Sequence, residues 1–131
     1  MVLIDSSAWI EYLRDTGSPA CARVDEIIAR AEAFATTDVV VLELLAGARN
    51  SRHRSRLWAL LDRASRFLPV RPVFDYDDAA TIYSRCRRGG YTPRQLTDCL
   101  IAAVAISAAV PLLHSDRDFT GIAEHTELAI A

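Results

Sequence analysis

Lysine is missing from this chain. All 15 basic residues are arginine, set against 17 acids in 131 residues, for a net charge of -2. That balance argues neither for nor against a polyanionic partner, and codon bias in a GC-rich genome is the plainest reason for the swap. Arginine does suit bidentate phosphate contacts. Cysteine is scarce too. Cys21, Cys86 and Cys99 are odd in number, far apart and without a Cys-x-x-Cys spacing, so they read as reduced, structural thiols in a cytoplasmic protein. His53, His114 and His125 are scattered and complete no zinc spacing. A Gly-rich phosphate loop and a Gly-x-Ser-x-Gly elbow are both lacking. The longest apolar run, Cys99 to Leu113, falls short of the roughly 20 residues that span a bilayer. An N-terminus with no basic region and an acid at position 5 is no signal peptide. These absences predict a soluble protein with no membrane partner.

Hydrophobic residues make up 51% of the chain, enough for one domain over residues 1–131 with its own core. Val2-Leu3-Ile4 reads as a strand buried on both faces, ending at Asp5. Ser6 or Ser7 is placed to cap a helix through Trp9, Ile10 and Leu13. A second helix is predicted over 20–32, then a short strand at Ala33-Phe34-Ala35. A third helix follows from Val39 to Ala46, stopped by Gly47, and is apolar nearly all round except at Glu43. The Arg-rich segment from Arg49 to Arg56 leads into a helix that continues to about Ala64. Phe67–Val70 is a third strand or extended connection. Asp75 to Arg88 is helical and ends at Gly89-Gly90. Thr92-Pro93-Arg94-Gln95 has the form of a capping box, with Thr97 a second possible cap. The next helix, almost wholly apolar to Ser107, carries Asp98 in its first turn. Pro111–His114 is another short strand, Gly121–Glu124 a short helix, and Leu128–Ile130 a last strand. Strands alternating with helices imply an α/β domain with a parallel sheet covered on both sides.

Four acids interrupt apolar surroundings: Asp5, Glu43, Asp98 and Asp116. Asp5 and Asp116 both follow short buried strands, so parallel strands project them from one sheet edge, where open α/β sheets bind ligands. Asp98 and Glu43 can reach that edge from their helices. Clustered carboxylates raise one another's pKa. A hard divalent cation such as Mg²⁺ or Mn²⁺ removes that penalty, because it takes oxygen ligands. Such a site suits phosphodiester hydrolysis. Each acid also has an ordinary explanation: Asp5 as a cap, Asp98 as a helix-dipole partner, Asp116 as a turn residue. Glu43 is the hardest to account for that way. Asp118, in Asp-x-Asp with Asp116, reads first as part of a turn. Arg49 to Arg56, and Arg85, Arg87, Arg88 and Arg94, are either solvated helix faces or a grip on an RNA backbone beside the acids.

Leu3-Ile4-Asp5-Ser6-Ser7, Leu42-Glu43-Leu44-Leu45-Ala46-Gly47, Leu96-Thr97-Asp98-Cys99-Leu100-Ile101-Ala102-Ala103 and His114-Ser115-Asp116-Arg117-Asp118-Phe119 together resemble the PIN domain. The likeness is strongest to the VapC toxins of bacterial toxin–antitoxin pairs, and it covers essentially the whole chain. It implies a PIN-like three-layer α/β/α fold with a mostly parallel central sheet. It implies a Mg²⁺- or Mn²⁺-dependent endoribonuclease acting on structured RNA such as tRNA or rRNA, a homodimer, and a cognate antitoxin that covers the active site. On this likeness Asp5, Asp98 and Asp116 bind the metal, and Glu43 completes the pocket and orients the attacking water. Ser7 takes the place of a hydroxyl that hydrogen-bonds a site carboxylate. The competing readings are a phosphotransfer enzyme, which would be expected to carry a lysine beside its acids, and a non-catalytic RNA-binding or protein-interaction module on the same fold.

Overall fold

Val2, Leu3 and Ile4 have no polar side chain to turn toward water, and the strand they form is buried along its length. The computed structural model describes residues 1–131. β1 (Val2–Ile4) is followed by α1 (Ser6–Leu13), α2 (Pro19–Ala29), β2 (Phe34–Thr36), α3 (Asp38–Ala46) and α4 (Ser51–Leu61). Then come β3 (Arg66–Phe67), α5 (Phe74–Arg88), α6 (Leu96–Ala108), β4 (Leu112–Leu113) and α7 (Arg117–Ala123).

The strands form one parallel sheet in the order β3-β2-β1-β4, with Leu3 opposite both Ala35 and Leu112. From β1 the chain steps outward to β2 and β3, then returns to the far side of β1 as β4. Right-handed crossovers in opposite directions put α1 to α4 on one face and α5 and α6 on the other. The result is the expected three-layer α/β architecture. The reversal lies between β1 and β4, and a crevice opens beyond the strand ends at such a point. Trp9, Phe34, Ile101, Leu112, Phe119 and Ile122 are among the fully buried side chains of the core, each worth roughly 1.5–3 kcal/mol relative to exposure. Helix α6 runs through it, burying Ile101, Ala102, Ala103, Val104 and Ala105. Its small alanines leave room for Ala79, Ile82 and Cys86 of α5 in the same core.

Helix ends differ most from expectation. Neither Ser6 nor Ser7 caps α1; Asp5 does, accepting the Ser7 N–H at 2.9 Å. Helix α2 stops at Ala29 and α4 at Leu61. Thr92–Gln95 does not open a helix. α6 begins at Leu96, and the Arg94 N–H is taken by Asp118 instead. Helix α7 starts at Arg117, ahead of Gly121, because Asp116 caps it through the Asp118 N–H at 2.9 Å. The last strand shrinks to a single bridge between Ile130 and Leu112. All three cysteines are buried and free, and no helix is long and apolar enough to cross a membrane.

Candidate active site

Asp5 leaves the end of β1 and is 3% exposed. Ser7 binds its Oδ2 twice, through the hydroxyl at 2.5 Å and the backbone N–H at 2.9 Å. The same hydroxyl accepts the Ser115 N–H at 2.9 Å, which ties the end of β1 to the loop after β4. Asp5 Oδ1 is buried with no hydrogen-bond partner. Asp98, in the first turn of α6, is 6% exposed, and its Oδ2 is equally bare. Asp116 caps α7 from the loop after β4 and stays partly open to solvent. Glu43 projects from α3, half-buried, and accepts from Ser6 Oγ at 3.2 Å.

The charges report on one another. Burial, then Asp116, Asp5, Asp118 and Glu43, push Asp98 up to about 7. Burial also raises Asp5, against the hydrogen bonds from Ser7. Glu43 is raised by burial, then by Asp5 and Asp116. The four acids singled out in the sequence therefore share one pocket, at the sheet edge and crevice that the topology predicts.

Asp118 belongs to the same place, although it had read as a turn residue. Carboxylate oxygens of Asp98, Asp116 and Asp118 lie within 4.8 Å of one another. Asp118 differs in being already partnered. Tyr91 donates its hydroxyl to Oδ1, and Arg94 gives Oδ2 its Nε at 3.1 Å and its backbone N–H at 3.3 Å. Burial works to raise Asp118, but these bonds outweigh it and hold the group below its usual value. Burial and then Asp118 push the Tyr91 hydroxyl up to about 12. Arg94 reaches on to Asp116 Oδ1 at 3.0 Å. His114 is here as well, accepting the Asp116 N–H on Nδ1 at 3.1 Å, with burial lowering its pKa against the pull of Asp5 and Asp116. Sequence reasoning missed Tyr91 and His114 and gave Arg94 a different task. The available signal was Asp118 itself, since a carboxylate two residues from a site acid and followed by an apolar helix needs a counter-charge when buried.

The donor set is all oxygen, and two of its buried atoms lack a partner. Such a set fits a hard divalent cation and offers no thiolate for zinc. The PIN domain family model matches residues 2–125.

The chain belongs to the PIN domain family. This PIN domain is 39% identical over 132 residues to ribonuclease VapC11 of Mycobacterium tuberculosis, a match covering 100% of this chain and 98% of that protein. Among solved structures it is similar to VapBC2 from Rickettsia felis bound to a promoter DNA fragment, with a TM-score of 0.76 at 16% identity, covering 100% of this chain and 98% of that one. It is also similar to VapBC-5 of M. tuberculosis, a member of the VapBC family of toxin–antitoxin systems. There the TM-score is 0.59 at 28% identity, with 98% and 95% of the two chains covered.

Proposed function

We propose that this PIN domain is a Mg²⁺- or Mn²⁺-dependent endoribonuclease, the toxin of a toxin–antitoxin pair, that hydrolyses phosphodiester bonds in structured RNA such as tRNA or rRNA. One observation carries the reading: Asp5 and Asp98 are buried with carboxylate oxygens that no donor uses, and oxygens of Asp98, Asp116 and Asp118 lie within 4.8 Å of one another, a concentration of negative charge that a divalent cation would relieve. The similarity to a protein named as a ribonuclease supports it. Asp5, Asp98 and Asp116 are the residues to hold the ion, because each keeps an oxygen that no protein donor uses. A divalent ion bound there supplies an acidified water and offsets charge on the transferring phosphoryl group. Glu43, anchored by Ser6, orients the attacking water and accepts its proton. Asp118 holds Arg94 and Tyr91 against the pocket wall. A cognate antitoxin over this site and a homodimer complete the proposal.

The test is cleavage of a labelled RNA pool with MnCl₂ or with EDTA, using wild type, Asp98→Asn and Glu43→Gln. Wild type should cut only with metal, and Glu43→Gln should lose about 10²–10⁴-fold in rate, the usual worth of a general base. RNA bound but left intact by wild type with metal would make this a non-catalytic module.

A further inference from the structure

Part of the Arg-rich segment found in the sequence, Arg49, His53 and Arg56, shares a groove with one of the acids, Glu43. These three line a groove of about 260 Å³ together with Arg14, at the end of α1, and Glu43 of α3. We infer that this groove, between α1, α3 and α4, holds the phosphates of the RNA strand next to the one being cleaved. The inference rests on the ribonuclease reading and adds where the substrate runs.

Three observations support it. First, the guanidiniums are free. All seven ion pairs of the protein are made by Arg23, Arg30, Arg71, Arg85 and Arg94, so Arg14, Arg49 and Arg56 have no anion of their own. They are exposed, and Glu43 is the one acid among the groove's lining residues. Second, His53 is oriented. Its Nδ1 accepts the Arg49 backbone N–H at 3.1 Å, which leaves Nε2–H as its donor. His53 and Arg56 are three residues apart, hence on one face of α4. Donors spread along a groove suit a chain of phosphates better than a single small anion. Third, a polyanion must approach the clustered carboxylates, and Glu43, which lines this groove, is hydrogen-bonded to Ser6, the neighbour of Asp5.

A peptide is the lesser fit. Of the four apolar residues that line the groove, Leu44 and Leu57 are only 5% and 2% exposed, and the apolar surface left open is that of Ile10, 39% exposed, and the half-buried Leu13, both on α1, facing three unpaired guanidiniums. The large exposed apolar side chains near α4, Leu42 and Trp58, line a different groove with Phe67.

The experiment compares two paired substitutions on one segment. Arg49→Ala with Arg56→Ala strips the groove and keeps the backbone N–H that fixes His53. Arg52→Ala with Arg54→Ala removes equal charge from exposed positions outside the groove lining. The probe is a fluorescein-labelled single-stranded RNA followed by anisotropy in EDTA across a salt series. Thermal melting checks that both proteins fold, and cleavage with MnCl₂ gives kcat and KM. Loss of the groove pair should weaken binding about 5- to 20-fold and flatten the salt slope by about 1.4, from roughly 0.7 per phosphate contact. KM should rise with kcat nearly unchanged, and the outer pair should behave like wild type. Equal losses from both pairs, or none from either, would overturn the inference and leave the ribonuclease reading intact. So would a groove pair that binds RNA normally but releases the antitoxin, which would give the groove to a protein. A wild type that cuts no RNA yet binds it through Arg49 and Arg56 supports the groove and removes only the ribonuclease reading.

Discussion

Ser7 does two things with one hydroxyl. It donates to Asp5 Oδ2 and accepts from the Ser115 backbone N–H, so it sets the angle of one site carboxylate and ties down the loop that carries Asp116. Side chains that orient a ligand without touching the metal are typically worth about 10–100-fold in metal affinity. Ser7→Ala should therefore weaken Mn²⁺ binding by about that factor, measured by titration calorimetry, while the protein still melts cooperatively. Ser6→Ala is the comparison. Ser6 holds only Glu43, which lies outside the proposed ligand set, so its loss should affect turnover more than ion affinity. Equal Mn²⁺ affinity in wild type and Ser7→Ala would contradict this division of labour. Arg94 shows the same economy on the other wall, bonding Asp118 through Nε and Asp116 through a terminal nitrogen.

At the scale of elements, the site acids also serve as helix caps, which lets the two roles be separated. Asp5 caps α1 and Asp116 caps α7. Asparagine caps about as well as aspartate, whereas alanine costs about 0.5–2 kcal/mol. Asp5→Asn should keep or raise the urea midpoint and abolish cleavage, while Asp5→Ala should lose both. A matching loss of stability in the two variants would mean that the carboxylate's charge, not its cap, supports α1. Packing between α5, α6 and α7 bears on the site in a second way. A methyl group on Gly121 would come within 2.5 Å of the Tyr91 ring, and Tyr91 holds Asp118. Gly121→Ala should cost roughly 1–3 kcal/mol by overpacking and slow cleavage as well, read from urea unfolding and a rate assay side by side. The same double duty explains what could be read from the sequence. β1 and α6 were plain because an unbroken apolar run has one comfortable place in a domain. The sheet-edge position of Asp5, Asp98 and Asp116 follows from those two elements and β4. Caps were misplaced because Asp5, Ser6 and Ser7 all cap well, and the choice went to the residue that the crevice also needs. The tie from Arg94 to Asp118 crosses 24 residues, and no local pattern encodes a contact between a loop and the start of another helix.

Across the whole molecule, the pocket makes stability depend on pH in a direction that a bound divalent ion would oppose. Asp98 titrates at about 7 in the folded chain against 3.8 when unfolded. Below 3.8 both states hold the proton and nothing distinguishes them. Between 3.8 and about 7 the unfolded chain releases its proton first, so the folded state is the proton-rich one and loses stability as pH rises. Above 7 the loss is complete. Asp5 and Glu43, also raised, act in the same sense. Asp118, and Asp75 in its ion pair with Arg71, are lowered and act oppositely. Their contribution is lost as pH falls below the usual carboxylate value and is complete above it, so it is constant over the window in which Asp98 titrates. His114, lowered by burial, instead adds stability as pH rises toward 6.5 and sets one opposing group against the three raised acids. The metal-free protein should therefore melt at a lower temperature as pH rises from about 5 to about 8. On the proposed function a divalent ion would bind the ionised carboxylates and compete with the proton, so saturating MnCl₂ should raise the melting temperature little at the acid end and most at the alkaline end. Cleavage should fall about tenfold per pH unit below 7 if one such proton must leave before the ion is held. Melting curves with and without MnCl₂ across this range decide the matter, and a Mn²⁺-induced increment independent of pH would mean that Asp98 is not among the residues that bind it.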